Sequence, residues 1–382
     1  MNNNQLDSRP VIVSVAATGT AAILLFAVMP VIVGALAGQF GLSDTQAGFV
    51  ATAYFLSYAL VALTSPLWVR RLNWRFTARG AFSVLFVGIA VTSFAGTYEQ
   101  ALIGMVISGL GAGVLFPISL TLAADTANPD RTYGIKLTAE QLVPAALLLL
   151  IPLLSLGAGV TAIMFPLLIT VGLCLLASLG LPAAGRFAQE AVSGSHQGAG
   201  LGYLGLVALA INFAGFGGLW VFFERIAVAE GFSADFTNLW LAVGLITSGV
   251  GPLLAALLAD RFGRIVPISL GTVAAVLSIS VLGLGVNTFR YALVLFCLPL
   301  AYYFAVSYVM SVIASADTNG RIAGLMSFAL AVGAASGPAI YGTLNDSGAP
   351  VLLVMSLLIA VGAVLVIIVA RGTTGTATEV VR

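Results

Sequence analysis

An all-α integral membrane fold with twelve spanning helices is what this sequence predicts, and three observations predict it. Charged residues make up 8% of the 382-residue chain, against about 25% in soluble domains, too few to cover a water-exposed surface. Hydrophobic residues make up 60%. The apolar residues also lie in unbroken runs as long as the roughly 20 residues a helix needs to cross a bilayer. Strands of a porin-like barrel would instead alternate apolar and polar side chains.

The first run, 11–37, is longer than a signal-peptide core and no clear cleavage site follows it, so it is expected to remain as a transmembrane helix. The next five spans are expected at 46–69, 77–95, 99–123, 137–156 and 159–182. The least hydrophobic connection, 183–200, reads as a midpoint linker. Six more spans follow at 201–224, 236–259, 265–286, 290–314, 322–343 and 350–370. With the N-terminus inside, thirteen of the fifteen basic residues fall on cytoplasmic segments, and only Arg225 and Arg290 fall outside. The positive-inside rule therefore predicts both termini in the cytoplasm.

Composition excludes several functions. Net charge is +1 with no basic stripe, so no nucleic-acid partner is expected. The single histidine, His196, and two distant cysteines, Cys174 and Cys297, give no metal-ligand spacing. No paired catalytic constellation or ATP motif occurs, so neither an enzyme nor a primary pump is expected, and no cofactor.

The chain also repeats itself. An offset of 190 residues aligns Gly41 with Gly231, Ser43 with Ser233, Arg71 with Arg261, Arg131 with Arg321 and Gly134 with Gly324, each pair at an equivalent point of the topology. Two parallel six-helix repeats follow, since six is even.

After span 8 the chain reads Ala259-Asp260-Arg261-Phe262-Gly263-Arg264. This resembles the D-R-x-G-R loop of the major facilitator superfamily, and it stands at the helix 8–9 position where that family carries it. The resemblance covers essentially the whole chain. It implies six-helix bundles at 1–182 and 201–382, joined by the linker 183–200. It also implies a monomer in a bacterial inner (plasma) membrane that moves a small organic solute across the lipid bilayer by alternating access, with protons as candidate co-substrate. It further suggests that Asp260 docks on the positive start of span 5, near Gly134–Lys136, when the cytoplasmic side closes. Arg261 and Arg264 would pin that loop, although both also serve as positive-inside residues. The first half departs from the pattern: Arg70 stands where the aspartate is expected and Asn73 where the glycine is expected. Trp68 and Trp74 beside them read as interfacial anchors.

In this family the solute site lies at the midplane, lined mainly by spans 1, 4, 7 and 10. Glu140 is the one acidic residue well inside a span, which makes it the candidate proton-coupling group. It is also four residues from Lys136 on the same helical face, so an ion pair is the alternative, and it lies within snorkelling reach of the cytoplasmic end. Asn212 at the middle of span 7 either holds solute or bonds a neighbouring helix. Phe216 follows one turn later, and Trp220 one turn after that as a candidate outer gate. Tyr303 and Ser307 share a face of span 10, Tyr54 and Tyr58 a face of span 2, and Gln141 adds an amide on span 5. Together these describe an aromatic-walled cavity with few hydrogen-bonding groups. Each tyrosine taken singly is better explained by helix packing, and the set by a cavity.

The drug:proton antiporters of the superfamily usually carry an arginine in span 4 and an acidic residue in span 1. Met105 occupies the first position, and 11–37 has no charge. With no cation expected at mid-depth, a neutral or amphipathic solute fits best. A receptor or scaffold of the same fold, binding without transporting, is the rival expectation.

Overall fold

The computed structural model describes residues 6, 8–126, 128–154, 159–185, 199–259, 261–315 and 321–379. Among them are thirteen α-helices and no strand. They are α1 (Arg9–Ala27), α2 (Met29–Phe40), α3 (Asp44–Trp68), α4 (Trp74–Ser93), α5 (Tyr98–Ala124), α6 (Pro129–Leu154) and α7 (Val160–Ala177), then α8 (Ala199–Ala229), α9 (Ala234–Leu258), α10 (Ile265–Gly283), α11 (Thr288–Ser315), α12 (Arg321–Asp346) and α13 (Val351–Glu379). Twelve of these are long and apolar enough to cross a membrane. Large apolar side chains that a water-soluble fold would bury stand outward, such as Leu153 at 77% and Leu257 at 74% exposure.

The extra helix corrects one expectation. The run 11–37 is not a single helix but α1 and α2, broken at Val28, which leaves helical geometry (φ −99°, ψ 11°). Pro30 causes the break. It has no N–H to return to Phe26, and its ring would strike that carbonyl in a continuous helix.

The other helix starts follow from polar caps. Ser43 and Gln46 form a reciprocal capping box at α3, with Asp44 in the first turn. Ser233 accepts the Phe236 N–H at α9, with Asp235 in the first turn. Gly41 and Gly231 stop the preceding helices with φ of +62° and +72°, a left-handed turn that glycine adopts without strain. The same stop-and-start signal thus occurs 190 positions apart.

By its contacts the chain divides into two compact units, Met1–Glu190 and Ala191–Arg382. In the first, α5 lies against α3 on one side and α4 on the other. Small residues allow both approaches: Gly109 faces the Tyr54 backbone of α3, and a Cβ at Gly111 would come within 2.6 Å of the Leu85 nitrogen of α4. In the second unit, α8 packs on α12 and α13, while α11 packs on α9 and α10. Leu209, Ile268, Val309 and Val366 belong to its fully buried core.

Candidate functional site

In the first unit the sequence brings an ion pair indoors. Lys136 and Glu140 stand one turn apart on α6 and bond to each other. Their side chains are 0% and 3% exposed. They press on α1 at Gly19, where a Cβ would overlap Glu140 and come 2.9 Å from Lys136 Cε. Gly19 lies beside the midpoint of α1, so the two charged heads pack against the middle of that helix. One expectation is corrected: Glu140 does not snorkel to water. It is buried with Lys136, whose charge it neutralises.

Aromatic rings surround the pair. Lys136 Nζ lies 4.6 Å from the centre of the Phe116 ring, a cation–π contact. Tyr58 is 6.1 Å from Phe116. Tyr54 is buried and its hydroxyl donates to the Ala22 carbonyl of α1 at 3.2 Å, so it serves the helix interface. Gln141 follows Glu140 on α6 and is half-buried.

In the second unit, rings fill the seam between α8 and α11. Phe216 of α8 stacks on Tyr302 of α11 at 4.2 Å and 10°, and meets Tyr303 edge-on at 5.3 Å. Trp220 lies 6.1 Å from Phe216 at 13°. It also lies over Gly244 of α9, where a Cβ would come within 3.3 Å of the indole. Tyr303 is half-buried, as is Ser307, whose hydroxyl donates back to the Tyr303 carbonyl at 2.9 Å. Asn212 is turned elsewhere. Its amide donates to the Ile359 carbonyl of α13 at 2.8 Å, so of the two roles open to it the structure shows the helix-to-helix bond. The four-residue step explains why Phe216 does not follow it. Each step rotates about 40°, enough to carry the stripe from α13 toward α11.

A profile described as Major Facilitator Superfamily matches residues 14–338. The chain belongs to that superfamily. The fold agrees: a crystal structure of a D-xylose-proton symporter superimposes with a TM-score of 0.76 at 14% identity, covering 94% of this chain and 96% of that one. No curated protein matches. This facilitator is therefore a multi-pass membrane transporter and not an enzyme.

Asp260, the expected gate, lies outside the described residues. Arg261 is exposed, and Arg264 reaches the Ser311 carbonyl near the end of α11 at 3.4 Å. Arg264 thus steadies a helix of its own unit with a cation at the negative end of that helix.

In the first half Arg70, standing in the expected aspartate's place, pairs with Asp125 at 2.5 Å. Asp125 caps the C-terminal end of α5 and is 1% exposed. A carboxylate there meets the helix's negative end and requires a cation, a signal the sequence contained. Trp74 is not an interfacial anchor. It is 1% exposed, its indole donates to the Val69 carbonyl and its backbone N–H to Ala183 at 2.9 Å. Trp68 is half-buried and donates to Thr64 at 3.2 Å. Arg75 holds the Leu181 carbonyl at 3.1 Å. The charged loop thus clasps the segment that leaves the sixth span. Replacing Arg70 with alanine should lower stability by about 3 kcal/mol, since Asp125 stays buried without its cation. Adding Asp125→Asn should restore most of it. A thermal melt in which the double variant is no better than the single one would contradict this assignment.

Proposed function

We propose that this facilitator moves a small neutral or amphipathic organic solute by alternating access, and that Glu140 couples the movement to protons. The halves 1–182 and 201–382 would rock about the linker 183–200, with both termini in the cytoplasm, the side favoured by thirteen of the fifteen basic residues.

The observation that carries the proposal is the buried Lys136–Glu140 pair beside the midpoint of α1. Buried ionisable groups in a membrane span are costly and serve function by default. Protonating Glu140 would weaken its hold on Lys136, whose ammonium also lies over the Phe116 ring. The pair would then have two charge states that differ by one proton, and a coupling element needs states that a proton can bias. Its net neutrality in the paired state suits an uncharged or amphipathic solute better than an anion.

A thermal-shift screen of purified protein should first identify binders. Proteoliposomes then test coupling: an imposed pH gradient should drive accumulation of a binder through the wild type. Glu140→Gln, made together with Lys136→Met so that no buried charge is left unpaired, should abolish that accumulation while leaving counterflow exchange intact. Gradient-driven uptake that is unchanged in this double variant would remove Glu140 from the mechanism. Binders with no flux of either kind would favour a receptor of the same fold.

A further inference from the structure

The first unit carries a groove on its surface that the candidate site does not use. α3 and α4 both lie against α5 rather than against each other, so a furrow is left between them with α5 as its floor. Its volume is about 530 Å³. Val61 of α3, Phe76 and Val84 of α4, and Leu110 and Val114 of α5 line it, and Thr77 supplies its one hydroxyl. Phe76 is 67% and Val84 39% exposed, an apolar surface of the kind that meets lipid or a partner. A Cβ at Gly80 would meet nothing within 4 Å, so the middle of the groove is open. From Phe76 to Val84 the helix rises about 12 Å, close to the roughly 15 Å of hydrocarbon in one leaflet.

One end of the groove is basic. Arg71 follows α3, Arg75 lies in the first turn of α4 and Arg79 one turn later, and all three are exposed. Arg70 is committed to Asp125, and Arg75 holds the Leu181 carbonyl. Arg71 and Arg79 have no carboxylate partner among the described residues. Helix side chains lean toward the N-terminus, so Arg79, three residues after Phe76, reaches back to the mouth of the groove.

The repeat shows that the fold does not need these features. α5 and α11 start 190 positions apart, at Tyr98 and Thr288. At that offset Leu270 replaces Gly80, and Phe304 replaces Val114. The Phe304 ring lies 3.2 Å from where a Cβ at Gly271 would stand. Ile265 and Ser269 replace Arg75 and Arg79, although Arg261 still answers Arg71. Open space and the arginines of α4 are thus found together in one half and replaced together in the other.

We propose that this groove holds an acyl chain of an anionic phospholipid, whose phosphate is bound by Arg71 and Arg79. Basic pockets between spanning helices bind anionic head groups, and guanidinium forks fit phosphate oxygens. The apolar walls take the chain. A second copy of the protein docked here about a two-fold axis would instead set arginines against arginines.

The test mixes the delipidated full chain in detergent with equal amounts of phosphatidylglycerol and phosphatidylcholine of identical chains, and reads retained lipid by native mass spectrometry. Phosphatidylglycerol should be retained about tenfold more, as a single adduct. Arg71→Gln with Arg79→Gln should bring the two lipids to within about twofold. Arg9→Gln, which removes an exposed arginine at the start of α1, should leave the preference as it is. Gly80→Leu copies the filled second half and starts from open space, so it should fold normally and lose the retained lipid. Glycerol 1-phosphate in large excess, a head group without chains, should not displace the lipid. Equal retention in the wild type, a preference that survives the double arginine variant or Gly80→Leu, or displacement by glycerol 1-phosphate would each overturn the proposal. So would a dimer that dissociates in Gly80→Leu, since a second copy would then fill the groove. Retention is read without flux, so a failure of Glu140-coupled transport leaves this result standing.

Discussion

Replacing Lys136 with methionine is expected to destabilise the protein by about 3–5 kcal/mol, the usual cost of removing one partner of a buried ion pair. Glu140, 3% exposed against Gly19 of α1, would keep its place without its counter-ion. Methionine fills much of the lysine's volume, so the loss reports on charge more than on space. The double variant Lys136→Met with Glu140→Gln should recover most of that stability, because neither desolvated charge remains. In purified protein the apparent melting temperature should drop by about 6 °C or more for the single variant and return toward wild type for the double. If the double variant melts no higher than the single, the pair is not what holds these side chains in place.

Widening Gly337 to valine is expected to have a second large effect. This glycine of α12 lies against α8 so closely that a Cβ would come within 2.7 Å of the Gly218 nitrogen, and one at Gly218 within 2.7 Å of the Gly337 carbonyl. The obstacle is backbone on both sides, so no rotamer change relieves it, and overpacking of this kind costs about 3 kcal/mol or more. Gly172→Ala supplies the contrast. A Cβ there meets nothing within 4 Å, and alanine favours the helix by up to about 1 kcal/mol over glycine. Gly337→Val should melt well below wild type and Gly172→Ala at or above it. Equal melting temperatures would show that α8 and α12 can separate freely.

The twelve spans were legible because a bilayer imposes a length, and an apolar run of that length is hard to mistake. The break at Val28 was not read from Pro30, since membrane helices often carry proline without breaking. The Lys136–Glu140 pairing followed from four-residue spacing, whereas its depth depends on how α6 packs on α1, which spacing does not contain. Asn212 shows the same limit. Its place at mid-span was legible, but whether it faces α13 or α11 is settled by rotation of α8 in the bundle. Trp74 misled for a related reason: a tryptophan beside a charged loop resembles an interfacial anchor until the chain from Leu181 to Ala183 folds back over it. Arg70 and Asp125 are 55 positions apart, and only the negative end of α5 hinted that the carboxylate needed a cation. The aromatic residues of α8 and α11 were legible, but not the stacking of Phe216 on Tyr302, since that depends on how both helices are rotated.

The break between α1 and α2 has a mechanical side. Gln39, near the end of α2, accepts the Val160 N–H at 3.2 Å and donates to the Ala95 carbonyl at 3.3 Å, so α2 is moored to the loops around it. At the other end of α1, Ser14 donates to the Ala177 carbonyl at 3.0 Å. Between these moorings a jointed span can change the tilt of one segment without dragging the other. A small swing of α1 about Val28 would slide Gly19 along the charged pair like a key along its wards, while the far end of the span stays still.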